Sequence, residues 1–316
     1  MAKTFGFEST TDEVLEGVDL SGKRVLITVV SAGLGVETAR AVVAHGGTVV
    51  GTARDLQKAR AALAAALPPG ASVELVESDL ASLSSVRKAA DELLAHRKPF
   101  DVIVANAGVM ACPQGKTADG FETQFGTNHL GHFVFVNKLV PLLKSGGRIV
   151  TLSSAGHQIS DVDLDDPDFE RTEYQPFLGY GRSKTANILY AVALDNRLKG
   201  RGIRATSLHP GGIQTELGRH MTPELRAQIQ KRIAASKEAA TFKFKNIPQG
   251  AATTVWASFV APSDAVGGHY CEDCHVCEVN DDTTSRAGVR SYALNPARAE
   301  ELWRKSEEMV GERFSL

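Results

Sequence analysis

Short apolar runs rich in β-branched residues alternate along this chain with stretches whose apolar residues recur at helical spacing, and that alternation limits the possible folds more than any other feature. The runs are Arg24–Val30, Thr48–Thr52, Ser72–Glu77, Asp101–Ala105, Arg148–Ser153 and Ile203–His209. Between them, Asp55 reads as the cap of a helix over Leu56–Leu67, which Pro68-Pro69-Gly70 stops. Parallel strands need crossovers of this kind. The pattern therefore predicts an α/β protein, a doubly wound parallel sheet with helices on both faces. Ligands of such sheets bind at the carboxyl ends of the strands, near the point where strand order reverses.

The first run ends in Thr28-Val29-Val30-Ser31-Ala32-Gly33-Leu34-Gly35 and passes into a helix with an apolar face. Unpaired N–H groups and the helix dipole favour an anion at such a helix start, so a pyrophosphate can lie against Gly33 and Gly35. One residue departs from the pattern. Val29 stands where such loops carry glycine directly after the strand.

At 316 residues the chain is long enough for one large domain or two smaller ones. A net charge of −2 gives no electrostatic case for nucleic acid or anionic membrane. No apolar run approaches the roughly 18 residues of a spanning helix, and the start lacks a signal peptide's apolar core, so a soluble cytoplasmic protein without a membrane anchor is expected. Residues 1–22 read as a polar surface arm ahead of a domain over 23–316. Cys271, Cys274 and Cys277, near His269 and His275, offer enough ligand atoms for zinc. Their single Cys-x-x-Cys-x-x-Cys run reads instead as reduced thiols in a C-terminal loop, with no metal, and Cys112 likewise.

Leu130–Leu143 and Ala186–Leu194 are apolar most of the way round. Such helices must be covered on more than one side, either by two layers of the same chain or, the reading favoured here, by a second copy in a homodimer or homotetramer. After His209, Thr222-Pro223-Glu224 opens a polar helix towards Ala240, and further helices are predicted over Gln249–Val260 and Pro296–Val310.

Tyr180 and Lys184 fall one helical turn apart on one face, where a cation favours the phenolate and lets the tyrosine exchange a proton. Alone the pair is weak evidence. Ser153 and Ser154 end an apolar strand where ligands bind, although serines there also form turns. Asn106-Ala107-Gly108 would read as an ordinary turn, and Asn128 as a helix cap or polar kink.

Together these motifs resemble the short-chain dehydrogenase/reductase family over roughly residues 20 to 275. Thr28, Ser31, Gly33, Leu34 and Gly35 match its glycine loop, Val29 excepted. Asp79-Leu80 matches its adenine contact, and Asn106-Ala107-Gly108 its sheet-stabilising motif. Asn128, Ser154, Tyr180 and Lys184 match its catalytic tetrad, and Pro210-Gly211, Ile213 and Thr215 the segment that meets the nicotinamide. The separation of 26 positions from Ser154 to Tyr180, with Asp161–Pro167 in the segment, and the ending Trp303–Gly311 look like the retinol-dehydrogenase-like and protochlorophyllide-reductase-like branch, in a soluble bacterial-type form.

The resemblance implies a single Rossmann-fold domain of about seven strands, a substrate-covering segment near 212–246 and a C-terminal extension near 271–316. It implies hydride transfer between a nicotinamide and a carbonyl carbon. Tyr180 would be the acid/base, Lys184 would lower its pKa and hold the ribose, Ser154 would bind the substrate oxygen, and Asn128 would support a water path. After the second strand stands Arg54, with no acid at the strand end to repel a phosphate, which favours NADP over NAD unless Arg54 is merely a surface residue. Phe242 and Phe244 suggest a small hydrophobic alcohol or ketone as substrate. A cofactor-binding scaffold with weak catalysis is the alternative, resting on Val29.

Overall fold

The computed structural model describes residues 4–316. The elements run α1 (Thr11–Leu15), β1 (Arg24–Ile27), α2 (Gly33–Ala44), β2 (Thr48–Ala53), α3 (Leu56–Ala66), β3 (Glu74–Glu77), α4 (Leu83–His96) and β4 (Phe100–Ala105). Then follow α5 (Thr123–Phe125), α6 (Gly131–Leu139), β5 (Leu143–Leu152), α7 (Pro176–Leu198), β6 (Arg204–His209), α8 (Pro223–Ala234), α9 (Ile247–Val255), α10 (Ser263–Val266), β7 (Tyr270–Glu272), β8 (His275–Val276) and α11 (Pro296–Val310). Among the described residues one eight-stranded sheet has the order β3-β2-β1-β4-β5-β6-β7-β8. All neighbours are parallel except β8, which folds back antiparallel on β7. Strand order reverses between β1 and β4, which opens the binding crevice there.

Alternation along the strands divides the core into two layers. Leu26, Ile103, Ile149 and Ala205 point to the layer holding α4, α6, α7 and α11. Val25, Ile27, Val102, Val104, Val150 and Leu208 point to the other, with residues of α1, α2 and α9. Both faces of the central strands are buried, which is why their sequences read as unbroken apolar runs.

Three expectations change. The N-terminal segment is packed rather than lying on the surface: a Thr10/Glu13 capping box starts α1, and Val14, Leu15 and Leu20 are buried. The helix expected to run to Leu143 ends at Leu139, and β5 starts at Leu143, five residues before its apolar run. Finally, the two apolar helices are covered within one chain. Phe133 is fully buried with Trp303 of α11 edge-on at 5.0 Å, Phe314 at 5.5 Å and Tyr190 of α7 at 5.4 Å. Each such side chain contributes about 1.5–3 kcal/mol by leaving water. The amphipathic α11 therefore supplies the cover that was expected from a second copy, and the apolar character of α6 and α7 gives no argument for an oligomer.

Candidate active site

Ser154 follows β5 and caps a short 3-10 turn over Ala155–Ile159, its Oγ accepting the Gly156 N–H at 3.0 Å. Tyr180 and Lys184 lie on the buried face of α7, 5 % and 3 % exposed. Gly156 lies against the tyrosine ring: a Cβ there would stand 2.7 Å from Tyr180 Cε1, so this position admits no side chain without moving the phenol. Gly108 is pressed, less tightly, against the other two residues. A Cβ on it would lie 3.3 Å from Lys184 Nζ and 3.4 Å from Asn128 Oδ1. The structure thus brings Asn128, Ser154, Tyr180 and Lys184 to one place at the carboxyl ends of β4 and β5.

The electrostatics differ from the sequence expectation. Burial pushes the Tyr180 phenol up to about 12, with a hydrogen bond to Ser154 pulling the other way. Lys184 lies 5.7 Å from the ring centre and donates to the Leu152 carbonyl at 3.0 Å, and burial brings its ammonium down to about 8. Desolvation outweighs that hydrogen bond, so the phenol is protonated at neutral pH.

Asn128 sits in a π-helical turn, Gly126–Leu130, running straight into α6, the polar kink its sequence allowed. Its side chain exchanges two hydrogen bonds with the Val109 backbone and donates a third to Ser183. One turn on, His132 Nδ1 lies 2.9 Å from the Asn128 carbonyl and Nε2 lies 2.9 Å from Thr28 Oγ1. A carbonyl only accepts, so Nδ1 carries the proton and Nε2 accepts from the threonine. Thr28 Oγ1 in turn accepts the N–H groups of Asn106 and Ala107. The sequence reading missed His132, whose apolar surroundings looked like plain helix. Thr28, expected at the cofactor, is fully buried, its hydroxyl bonded to His132 and to the Asn106 and Ala107 N–H groups.

The loop after β1 has the form of an anion cradle. Ala32 at the N-cap of α2 gives no side-chain cap, which leaves first-turn N–H groups available. Asn106 Nδ2 donates to the Thr28 and Val29 carbonyls, and a Cβ on Gly35 would meet the Val29 oxygen at 2.0 Å. Ser31, Gly33, Lys58, Thr215 and Glu216 line a cavity of about 490 Å³ beside the loop. A Lys58–Glu216 ion pair of 2.6 Å links α3 to the segment after β6. Leu34 and Ile213 pack on Gly250 of α9, and Leu80 packs on Gly131. Asp79 accepts the Ala81 N–H. Pro210 and Gly211 follow β6, Gly211 at φ 101°. Arg54 is exposed at the end of β2 and has no ion pair or hydrogen bond among the described residues. Unpaired loop amides, glycines pressed against backbone and a free guanidinium suit a dinucleotide phosphate.

Val29 adopts φ 59°, a left-handed conformation that a β-branched residue rarely takes. The conformation costs about 1–2 kcal/mol, against about 0.5–1 kcal/mol for the extra chain entropy of glycine. Val29→Gly is expected to stabilise the protein by about 1 kcal/mol and to tighten binding at the loop. Denaturant unfolding and cofactor titration of the two proteins check this, and an unmoved midpoint would mean that the loop has adapted to valine.

A family model described as enoyl-(acyl carrier protein) reductase matches residues 29–246. The short-chain dehydrogenase/reductase prx1 of Penicillium roqueforti is 41% identical, over 92% of this chain and 86% of its own. The chain belongs to the short-chain dehydrogenase/reductase family. Retinol dehydrogenase 14 of Mus musculus is 38% identical over 92% of this chain and 87% of that protein, which agrees with the branch read from the sequence. A short-chain dehydrogenase from Burkholderia cenocepacia, crystallised in complex with NADP, is 25% identical with a TM-score of 0.60 over 76% of this chain and 91% of its own.

This short-chain dehydrogenase/reductase also carries a site-shaping residue that the sequence gave no reason to single out. Lys245 is buried, with its stem on Gly211, where a Cβ would lie 2.8 Å from Cδ. Its ammonium lies 2.6 Å from an Asp273 oxygen and 4.8 Å from the centre of the Phe7 ring. The pair ties the segment after β6 to the β7–β8 turn. Among the described residues no helix is long and apolar enough to cross a membrane.

Proposed function

We propose that this protein is an NADP-dependent oxidoreductase that interconverts a hydrophobic alcohol and its carbonyl compound, a secondary alcohol and its ketone before a primary alcohol and its aldehyde. The observation that carries the proposal is the convergence of Ser154, Tyr180, Lys184 and Asn128 beside an anion cradle. A bound nicotinamide would supply or accept the hydride. In the reducing direction the protonated Tyr180 donates its proton to the carbonyl oxygen, which Ser154 orients by hydrogen bonding. Lys184 stands close enough to stabilise the phenolate left behind, and Asn128 fixes the turn on which this end of the site rests.

Arg54 supports NADP over NAD, because its guanidinium is unengaged and the adjacent acid is not. Asp55 spends its carboxylate on the Lys58 N–H at 2.9 Å, capping α3. The relative crystallised with NADP agrees with this reading, and the retinol dehydrogenase agrees with an alcohol as substrate. The segment 212–246 would cover the substrate, with Phe242 and Phe244 edge-on at 5.2 Å and Phe244 57 % exposed. Cofactor binding without efficient turnover remains the second reading, favoured by the strained Val29 alone.

The test is an oxidation screen of hydrophobic secondary alcohols with NADP and NAD side by side, on wild type and Arg54→Ala. Loss of a charge-assisted phosphate contact is expected to cost NADP roughly 10–100-fold in kcat/KM while sparing NAD. Equal use of both cofactors by the wild type would remove the phosphate-reading role, and no turnover with any substrate would favour the second reading.

A further inference from the structure

The cysteines do not form one cluster. Cys271 and Cys274 face the core layer of α2 and α9, whereas Cys277 belongs to a separate apolar group with Ile188 and Tyr270. Burial raises all three thiols, Cys277 included, so the grouping rests on geometry and not on acidity. Cys277 instead shares its side of the β7–β8 ribbon with two other metal-ligating side chains.

Hairpin geometry explains why. Asp273 and Cys274 both have positive φ, 48° and 58°, which makes the tight two-residue turn that sets Glu272 opposite His275. The pairing continues through the Cys277 N–H to the Tyr270 carbonyl, and side-chain alternation returns Cys277 to the side of His275. A carboxylate oxygen of Glu272, a ring nitrogen of His275 and Cys277 Sγ all lie within 4.8 Å of one another.

We propose that Glu272, His275 and Cys277 bind a thiophilic divalent cation of the zinc class. The donor set is one thiolate, one imidazole and one carboxylate, which suits zinc and not the oxygen-seeking magnesium or calcium. On binding, the Cys277 thiol releases its proton to solvent as the sulfur–metal bond forms, and the two anionic ligands balance the ion's charge.

Supporting contacts already orient two of the ligands. Glu272 Oε1 accepts the Gly288 N–H at 3.0 Å. His275 Nδ1 lies 3.3 Å from the Asp273 carbonyl, so Nδ1 carries the proton and Nε2 keeps the lone pair that a metal needs. A tetrahedral zinc holds such atoms roughly 3.5 Å apart, a closure of about 1 Å that the exposed His275 can make by side-chain rotation. His275 also gives the ion an entry path from solvent, and three protein ligands leave the fourth position open.

The test uses the full chain, reduced and freed of metal by chelator, titrated with Co2+ and then Zn2+. The expected result is one Co2+ per chain with a thiolate-to-cobalt charge-transfer band, displaced by Zn2+ and insensitive to Mg2+. Thermal unfolding should shift upward with Zn2+. Cys277→Ser should abolish the band. His275→Ala, at an exposed position that tolerates change, should weaken affinity at least about tenfold, while Cys274→Ser should keep the band. Cobalt binding without a thiolate band, or affinity unchanged in His275→Ala, would overturn the proposal.

Discussion

Tyr180→Phe is expected to lower turnover by roughly 10²–10⁴-fold, the range that a positioned acid/base contributes. Only the phenolic oxygen is lost, because the phenylalanine ring keeps its place against Gly156 and its burial on α7. The cradle after β1 is untouched, so cofactor affinity should stay nearly constant while kcat falls. Steady-state kinetics together with a cofactor titration separate the two effects. With the phenol pushed up to about 12 by burial, the wild type should also hold its reducing activity through neutral pH. A Phe variant that turns over at the wild-type rate would take Tyr180 out of the chemistry.

The second large effect is acid sensitivity. Burial holds His129 and His209 down to about 3, and His132 and His157 down to about 4. Geometry agrees for two of them. His132 Nε2 accepts from Thr28, and His157 Nε2 accepts the Arg290 N–H at 3.2 Å, so neither ring has room for a second proton. In the unfolded chain each histidine titrates near 6.5. Below that pH the unfolded state takes up protons that the folded state refuses, and stability falls as pH falls towards 4. Each histidine contributes up to about 1.4 kcal/mol per pH unit, and all four together up to roughly 5–6 kcal/mol per pH unit, so one or two units already match a total stability of about 5–15 kcal/mol. Glu122 and Glu272, whose carboxyls burial raises, oppose the loss in part. Denaturant unfolding at pH 7, 6 and 5 should show a steep decline, and equal stabilities at pH 7 and 5 would contradict it.

Much of this architecture was legible because local chemistry and global fold agreed. The runs from Arg24 to His209 became β1 to β6; the central strands, buried on both faces, announce themselves as unbroken apolar segments, and only the edge strand β3 is half exposed. Thr222-Pro223 opened α8, and the Pro296–Val310 helix appears with the expected bounds. Other features were hidden for physical reasons. β7 and β8 are three and two residues long, too short for any period, and their turn uses Asp273 and Cys274 where a hairpin signal would be Asn-Gly. The tyrosine–lysine spacing was visible, but the upward shift of the phenol depends on burial, which spacing does not encode. The link from Asn128 through His132 to Thr28 joins residues 104 positions apart and leaves no local trace. The covering of α6 and α7 was misread for the same reason, because a sequence shows that a face needs cover without showing what covers it.

That cover has a consequence in time as well as space. α7 ends at Leu198 and α11 begins at Pro296, about a hundred residues later. At the usual pace of synthesis, about 5–20 residues per second, the aromatic face around Phe133 and Tyr190 waits roughly 5–20 seconds on the ribosome before Trp303 arrives. When that interval begins the nascent chain has β1 to β5 and α7 but an open, sticky flank, and β6 to β8 are added while it waits. Cover of that flank is therefore completed only once α11 has been made, long after the residues it covers.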